Sequence, residues 1–192
     1  MPIDPLPVWY NEYEKLPMDS TGLLSPKNLG KFIADRVNNK LSTQPAVVAF
    51  TPVPLFTWQS SIFISAIQLL SKTPSFETVT PAIQIASAWQ AATQASTFII
   101  QPGANYTPPL PPTNSIASVA QVIINPASIT IGYSIIVNGL SSAPMALKRS
   151  QAAFPRILRE AFMSIKLDIT GTDTSVPPAG PYPILYPMTP VI

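Results

Sequence analysis

The stretch from Leu41 to Leu147 carries almost no charge, and this constrains the fold more than any other feature of the sequence. Its only charged residues are Lys72 and Glu77. Charged residues make up 10% of the whole chain, against about 25% in ordinary globular domains. A surface that meets only water normally carries Lys and Glu, which resist aggregation. The stretch therefore predicts a protein whose surface is covered by other subunits; the alternative is a solvated surface rich in Ser, Thr and Gln.

The segment 80–101, TPAIQIASAWQAATQASTFIIQ, shows how such a surface is built. Helical spacing places glutamine, serine and threonine on one face, and alanine, isoleucine and Trp89 on the other. A neutral polar face can be covered by a partner without the high cost of desolvating a charge. We therefore predict that this helix packs on both sides, and that Gln90 and Gln94 lie at a subunit interface.

Proline divides the chain into a core and two extensions. There are 24 prolines, yet the apolar content is 46%, enough for a packed core. The pattern predicts one core domain at 26–170, with a proline-rich loop at 102–114, between extended arms at 1–25 and 171–192. Aromatic residues of the arms are predicted to anchor them on neighbouring subunits: Trp9, Tyr10, Tyr13, Tyr182 and Tyr186.

Hydrophobic periodicity predicts an α+β fold, with about four helices and a small mixed or antiparallel sheet. Asn138-Gly139 is typical of a turn that follows a strand. The predicted helices are 25–41, 58–72, 80–101 and 144–160, the last kinked at Pro155. The predicted strands are 45–51, 117–124, 129–138 and 163–170.

Basic residues are concentrated near the C-terminal end, where five of the eleven lie in 148–166. Two kinds of binding partner for these basic residues are considered. One is the phosphate backbone of packaged or passing nucleic acid. The other is the acidic arm of a neighbouring subunit, and the chain's net charge of only +2 slightly favours this protein partner. The basic stripe predicted on one face of helix 144–160 consists of Lys148, Arg149, Arg156 and Arg159.

The sequence offers little catalytic chemistry. It has no cysteine and no histidine, which removes thiol chemistry, the usual general base and the commonest metal ligand. No phosphate-binding loop, dinucleotide fingerprint, nucleophile elbow or zinc-protease motif occurs. Asp168 and Asp173 flank a predicted turn, but a metal role for them is disfavoured. We expect no enzyme, no cofactor, no metal and no small-molecule substrate.

Low-charge helices alternate with proline-rich loops, as in STFIIQPGANYTPPLPP. In this style the whole chain resembles small virion structural proteins of tailed bacteriophages, of the neck, connector or tail-completion type. The resemblance assigns no role to a particular residue. It implies a ring or lattice of copies that joins larger parts of a particle, with further structural proteins as partners. Localisation in the virion, after synthesis in the host cytoplasm, follows from the same resemblance.

Two other functions compete with this interpretation. A membrane-active protein could insert the charge-poor helices 58–72 and 80–101 as a hairpin, although glutamines are costly in hydrocarbon and the apolar run 60–70 is too short to span a bilayer. A carbohydrate- or peptide-binding module could use Trp9, Trp58 or Trp89, although helical positions indicate core anchors. The N-terminal residues have neither the basic nor the apolar region of a signal peptide.

Overall fold

The computed structural model describes residues 3–17, 25–38, 49–51, 55–70, 79–100, 102, 105–107, 117–141, 153–173 and 182–187. These ranges hold six helices and seven strands. The helices are α1 (Leu6–Glu14), α2 (Pro26–Val37), α3 (Ser60–Leu70), α4 (Val79–Gln94), α5 (Pro126–Ser141) and α6 (Ala153–Met163). The strands are β1 (Ala49–Thr51), β2 (Leu55–Thr57), β3 (Thr97–Ile99), β4 (Asn105–Thr107), β5 (Ala117–Ile124), β6 (Leu167–Asp173) and β7 (Tyr182–Pro187).

The six helices form a closed ring, because each packs on the next in the chain and α1 packs on α6. Phe162 of α6 lies at the centre of this ring. Its ring centroid is 5.4 Å from that of Trp89, 5.8 Å from that of Trp58 and 6.5 Å from that of Trp9. These are all three tryptophans of the chain, and all are buried. The prediction that Trp58 and Trp89 are core anchors is confirmed.

The strands form two antiparallel sheets. One has five strands in the order β1-β4-β5-β6-β7, and the other pairs β2 with β3. The β5–β6 ladder joins Ile124 to Leu167 at the end next to the helices, where both side chains are buried. A bulge interrupts β5 between Val119 and Gln121. The described elements agree with the predicted α+β class, and where a mixed or antiparallel sheet is predicted they form antiparallel sheets. The six described helices exceed the four predicted.

The N-terminal segment is not the extended arm that the prolines predict. Pro5 and Pro7 lie at the start of helix α1, where the missing N–H of proline costs no hydrogen bond. Trp9 and Tyr13, four residues apart, share one face and are buried in the core of their own chain. Their predicted role as anchors on a neighbouring subunit is therefore wrong.

Residues 129–138, predicted as a strand, belong to helix α5. Asn125 caps this helix, since its Oδ1 accepts a hydrogen bond from the Ser128 N–H at 3.2 Å, and Pro126 occupies the first helical position. The alternating isoleucines resemble a strand pattern, but the buried residues follow the period of a helix. The buried residues Ile129, Gly132, Ile136 and Leu140 are three or four positions apart.

Other boundaries differ from those predicted. The helix predicted at 80–101 ends at Gln94 and continues as strand β3. The strand predicted at 163–170 begins only at Leu167. Pro155 lies in the first described turn of α6 (Ala153–Met163), where proline is tolerated, and residues 144–152 of the helix predicted at 144–160 lie outside the described part of the chain. The strand predicted at 117–124 is confirmed as β5.

The C-terminal extension contributes to the main sheet. β6 reaches Asp173, and β7 pairs with it from Asp168↔Pro187 to Asp173↔Tyr182. Residues 171–173 and 182–187 thus pair within the sheet of their own chain, whereas the sequence predicts 171–192 as an extended arm anchored on neighbouring subunits. Of the loop predicted at 102–114, residues 105–107 form β4. The residues 174–181, 188–192, 108–114 and 45–48 lie outside the described part of the chain.

Candidate functional site

Charge is distributed unevenly around the ring of helices. No described residue between Ala49 and Ser141 is charged, so α3, α4 and α5 carry no charge. The charged residues of the described helices all lie on α1, α2 and α6, which are also neighbours in the ring. We call α3, α4 and α5, with strands β2, β3 and β5, the neutral half, and α1, α2 and α6 the charged half.

The large apolar side chains exposed in the described residues all lie in the neutral half. Each of its helices exposes one isoleucine: Ile62 on α3, Ile83 on α4 and Ile131 on α5, the last 50% exposed. Ile99 of β3 is 58% exposed. Contiguous exposed apolar patches mark interaction surfaces, and a surface without charge lacks the residues that resist aggregation. Among the side chains whose exposure the structure describes, these are Leu55, Ile62, Ile83, Ile99, Ile123 and Ile131.

The polar face predicted for α4 lies on the outside of the neutral half. Gln84, Ser87 and Gln94 are exposed, and Gln90 is half-buried. The opposite face, with Ile85 and Trp89, is buried between α3 and α5. Of the face that periodicity predicts, Ser87, Gln90 and Gln94 lie on this side of α4, whereas Thr97 belongs to β3 and Gln101 lies outside the described residues. Coverage of this face by another subunit stays a prediction.

A cleft of about 550 Å³ opens in the neutral half, between the end of α4, strand β3, strand β5 and the start of α5. Hydrogen bonds fix its α4 wall. The Trp58 indole N–H donates to Thr93 Oγ1 at 3.2 Å, and the Trp58 backbone N–H donates to Asn38 Oδ1 at 2.8 Å. No lining residue is charged: Thr93, Gln94, Ser96, Thr97, Phe98, Ile100, Ala120, Gln121, Val122, Ile123, Ile124, Pro126 and Ile129.

The charged half joins the N-terminal segment to the helices of its own chain. Arg36 of α2 donates to the Asp4 carboxylate at 3.1 Å, and Arg159 of α6 donates through Nε to the Asp4 backbone carbonyl at 2.9 Å. The Lys15 ammonium donates to the Glu12 carboxylate at 2.9 Å and lowers the pKa of that carboxyl. Burial raises the pKa of the Tyr13 hydroxyl.

The predicted basic stripe is only partly described. Arg159 binds Asp4 of its own chain, so the acidic segment meets the basic helix within one subunit. Arg156 is exposed and lies 3.7 Å from the Glu160 carboxylate on the next turn. Lys148 and Arg149 lie outside the described residues. The described geometry brings together no cluster of basic residues at this helix.

The remaining predicted interface residues are dispersed. Tyr10 of α1 is half-buried. Tyr182 and Tyr186 belong to β7, opposite Asp173 and Ile169 of β6. Asp168 also lies in β6 rather than beside a turn, and its two oxygens accept hydrogen bonds from Asn125 Nδ2 at 3.1 and 2.9 Å.

Sequence reasoning missed the Asp4–Arg36 contact and the cleft. Asp4 and Arg36 are 32 positions apart, so no spacing rule connects them. The cleft lies where β3 and β5 approach each other, a contact that depends on the fold of the segments between them. The signal that was available is the absence of charge across both of its walls.

Comparisons with protein-family models, curated proteins and solved structures found no match. None of the described helices has the length and apolar character needed to cross a membrane. The described residues also contain no group of three or more aspartates or glutamates placed to hold a metal ion.

Proposed function

We propose that this protein is a structural subunit of a multi-copy assembly and that its neutral half is the contact with further copies. The observation that carries the proposal is the coincidence of two independent properties. The three adjacent helices without charge are also the ones that expose isoleucine, at Ile62, Ile83 and Ile131. In a monomer each property alone would favour aggregation in water.

A second copy of the chain fits this uncharged surface better than a charged partner does. The neutral half offers no ion pairs, so a charged partner would lose hydration without compensation. Another neutral half loses little, because its Gln, Ser and Thr side chains can exchange hydrogen bonds across the interface.

The setting we propose for this assembly is a virus particle, with the subunit in a neck, connector or tail position. The support is the resemblance in style of the sequence, together with the charge-free surface. The charged half, with its exposed Arg156 and Glu160, would then remain in contact with solvent or with other structural proteins.

Sedimentation velocity on matched charge insertions tests the proposal. Ile83→Lys combined with Ile131→Lys places two charges on the neutral half at side chains that are already exposed, so the core is left intact. We expect this variant to sediment as a 20.7 kDa monomer at concentrations where the unmodified chain sediments as a larger species. Asn11→Lys, on an exposed position of α1, is the control and should sediment like the unmodified chain. If the double variant and the unmodified chain sediment alike, another surface is responsible for assembly.

A further inference from the structure

The cleft of the neutral half runs along the edge of a β-strand. Its lining includes the five consecutive β5 residues 120–124. Successive side chains of a strand point to opposite faces of the sheet, and here Val122 and Ile124 are buried while Gln121 and Ile123 are exposed. Residues from both faces can line one cleft only if it follows the strand's backbone edge.

That edge of β5 has no partner strand among the described residues over most of its length. On this side the described residues of β4 pair with Ala117 and Ser118, and residues 103–104, which precede β4, lie outside the described part of the chain. On the other side β6 pairs with β5 as far as Ile124. The bulge that follows Val119 separates the part of β5 that β4 covers from the part that lines the cleft.

The hydrogen-bond register identifies the backbone groups that point into the cleft. The Asn125 N–H donates to the Lys166 carbonyl at 2.8 Å. Hydrogen-bonded and non-hydrogen-bonded pairs alternate along an antiparallel ladder, so Ile123 and Gln121 also direct their N–H and C=O groups toward β6. The N–H and C=O groups of Val122 and Ile124 therefore point away from β6, into the cleft.

These groups belong to residues that are only 5% and 9% exposed. The unpaired edge presents these groups to the cleft as a row of N–H and C=O groups, which is a template for pairing with another extended chain. The partner that satisfies such groups at alternate residues along an edge is the backbone of another extended segment. We propose that this cleft binds an extended peptide segment of another polypeptide, which adds to β5 as a further strand.

The lining defines the chemistry of that segment. All thirteen lining residues are uncharged, so a charge on the segment would be desolvated without compensation. A residue opposite Val122 shares its buried face, and a residue opposite Ile123 shares its exposed face. The segment is therefore uncharged, about five residues long by the rise of a strand, and alternates apolar with small polar side chains.

The outer edge of the main sheet at β7 is closed to the same kind of addition. Pro187 lies opposite Asp168 and Pro183 lies opposite Thr172. Asp168 directs its backbone groups toward Ile123 of β5, so Pro187 and, two pairs along the ladder, Leu185 and Pro183 face outward. Two of these three outward positions are prolines without an N–H, a feature that blocks strand addition. Strand addition is therefore blocked at the β7 edge, whereas residues 120–124 at the β5 edge include no proline.

The test uses the full chain and an acetylated, amidated peptide of sequence Thr-Val-Thr-Val-Thr-Ser. We expect saturable binding, and slower hydrogen exchange at the amides of Val122 and Ile124, by at least tenfold when the peptide saturates the protein. The amides of Gln121 and Ile123, already bonded to β6, should keep their exchange rates. This alternation distinguishes strand addition from general stabilisation, which would slow all four.

Two controls separate this proposal from self-assembly. The same peptide N-methylated at alternate residues keeps its side chains but loses backbone donors, and should bind at least tenfold more weakly. Ile123→Lys should weaken binding of the unmodified peptide to the same degree, whereas Ile131→Lys, a matched change outside the cleft, should leave it unchanged even where it prevents assembly. Absence of saturable binding up to millimolar peptide, or binding without slower exchange at Val122 and Ile124, overturns the proposal.

Discussion

Gly132 of α5 lies against the six-membered ring of Trp89 in α4, so closely that a Cβ on residue 132 would overlap the ring. The same Cβ would also lie 3.1 Å from the Ala161 carbonyl oxygen of α6. This contact sets the distance between three helices around the buried Trp89, because neither the indole nor the helix backbone can move without disturbing the core.

Gly132→Ala should therefore destabilise the protein, although alanine is the better helix former. Overpacking a filled core costs about 1–3 kcal/mol, which exceeds the gain of about 1 kcal/mol in helix propensity. Gly139→Ala is the matched variant in the same helix, where the nearest contacts of the added Cβ are all with the Ile157 side chain, from 2.7 Å, and none is with a ring or a backbone atom. Urea denaturation should show the larger loss for Gly132→Ala, and equal stability of the two variants would contradict the packing described for Trp89.

Thr93→Val should lower the free energy of unfolding, because it removes a hydrogen bond buried in the neutral half. Thr93 is fully buried and accepts the Trp58 indole N–H, so valine of nearly the same shape leaves that donor unsatisfied. The expected loss is about 1–3 kcal/mol in the free energy of unfolding. Thr130→Val, at an exposed position of α5, should change it far less, and a loss of similar size in both variants would show that the buried hydrogen bond is not the cause.

Trp9→Ala should be among the most damaging single changes, since it empties the site between Phe32 and Phe162. Truncation of a buried tryptophan typically costs about 3–5 kcal/mol. Tyr10→Ala, next to it but half-buried, is the control. Thermal unfolding followed by circular dichroism compares the two. If Trp9→Ala unfolds no earlier than Tyr10→Ala, α1 does not pack on the core as described.

Lys15→Gln should raise the pKa of Glu12 toward its ordinary value of 4.5, because the hydrogen bond and charge of Lys15 are the main reasons that it is lowered. A lowered pKa in the folded state stabilises the protein above the unfolded-state value, and this stabilisation is lost as the pH falls through the folded-state value. The difference in stability between the unmodified chain and Lys15→Gln should thus shrink as the pH falls below 4.5. Carbon NMR titration of the Glu12 carboxyl measures the pKa directly, and an unchanged value would contradict the ion pair.

The sequence predicts some elements well because their signals are local. Strand β5 and helix α2, predicted within 25–41, follow directly from the order of apolar residues. The polar face of α4 is found for the same reason. The charge-free stretch, interpreted as a covered surface, contains the three helices α3, α4 and α5. The sequence could not indicate that these helices are neighbours in space.

The errors have physical causes that single residues illustrate. Pro7 reads as a helix breaker, yet it is harmless in the first turn of α1. Ile129, Ile131 and Ile135 alternate like a strand, but the capping residue Asn125 starts a helix there. The cleft edge at Val122 depends on where β4 stops pairing, which is a property of the sheet and not of its strands.

Thiol labelling tests most directly whether copies cover the neutral half. The chain has no cysteine, so Ile131→Cys and Asn11→Cys each carry a single thiol, one on the neutral half and one on the charged half. The account predicts that maleimide labelling of Ile131→Cys slows markedly as protein concentration rises and the assembly forms, while labelling of Asn11→Cys does not. Equal labelling rates for the two variants at all concentrations, with assembly confirmed by light scattering, would contradict it.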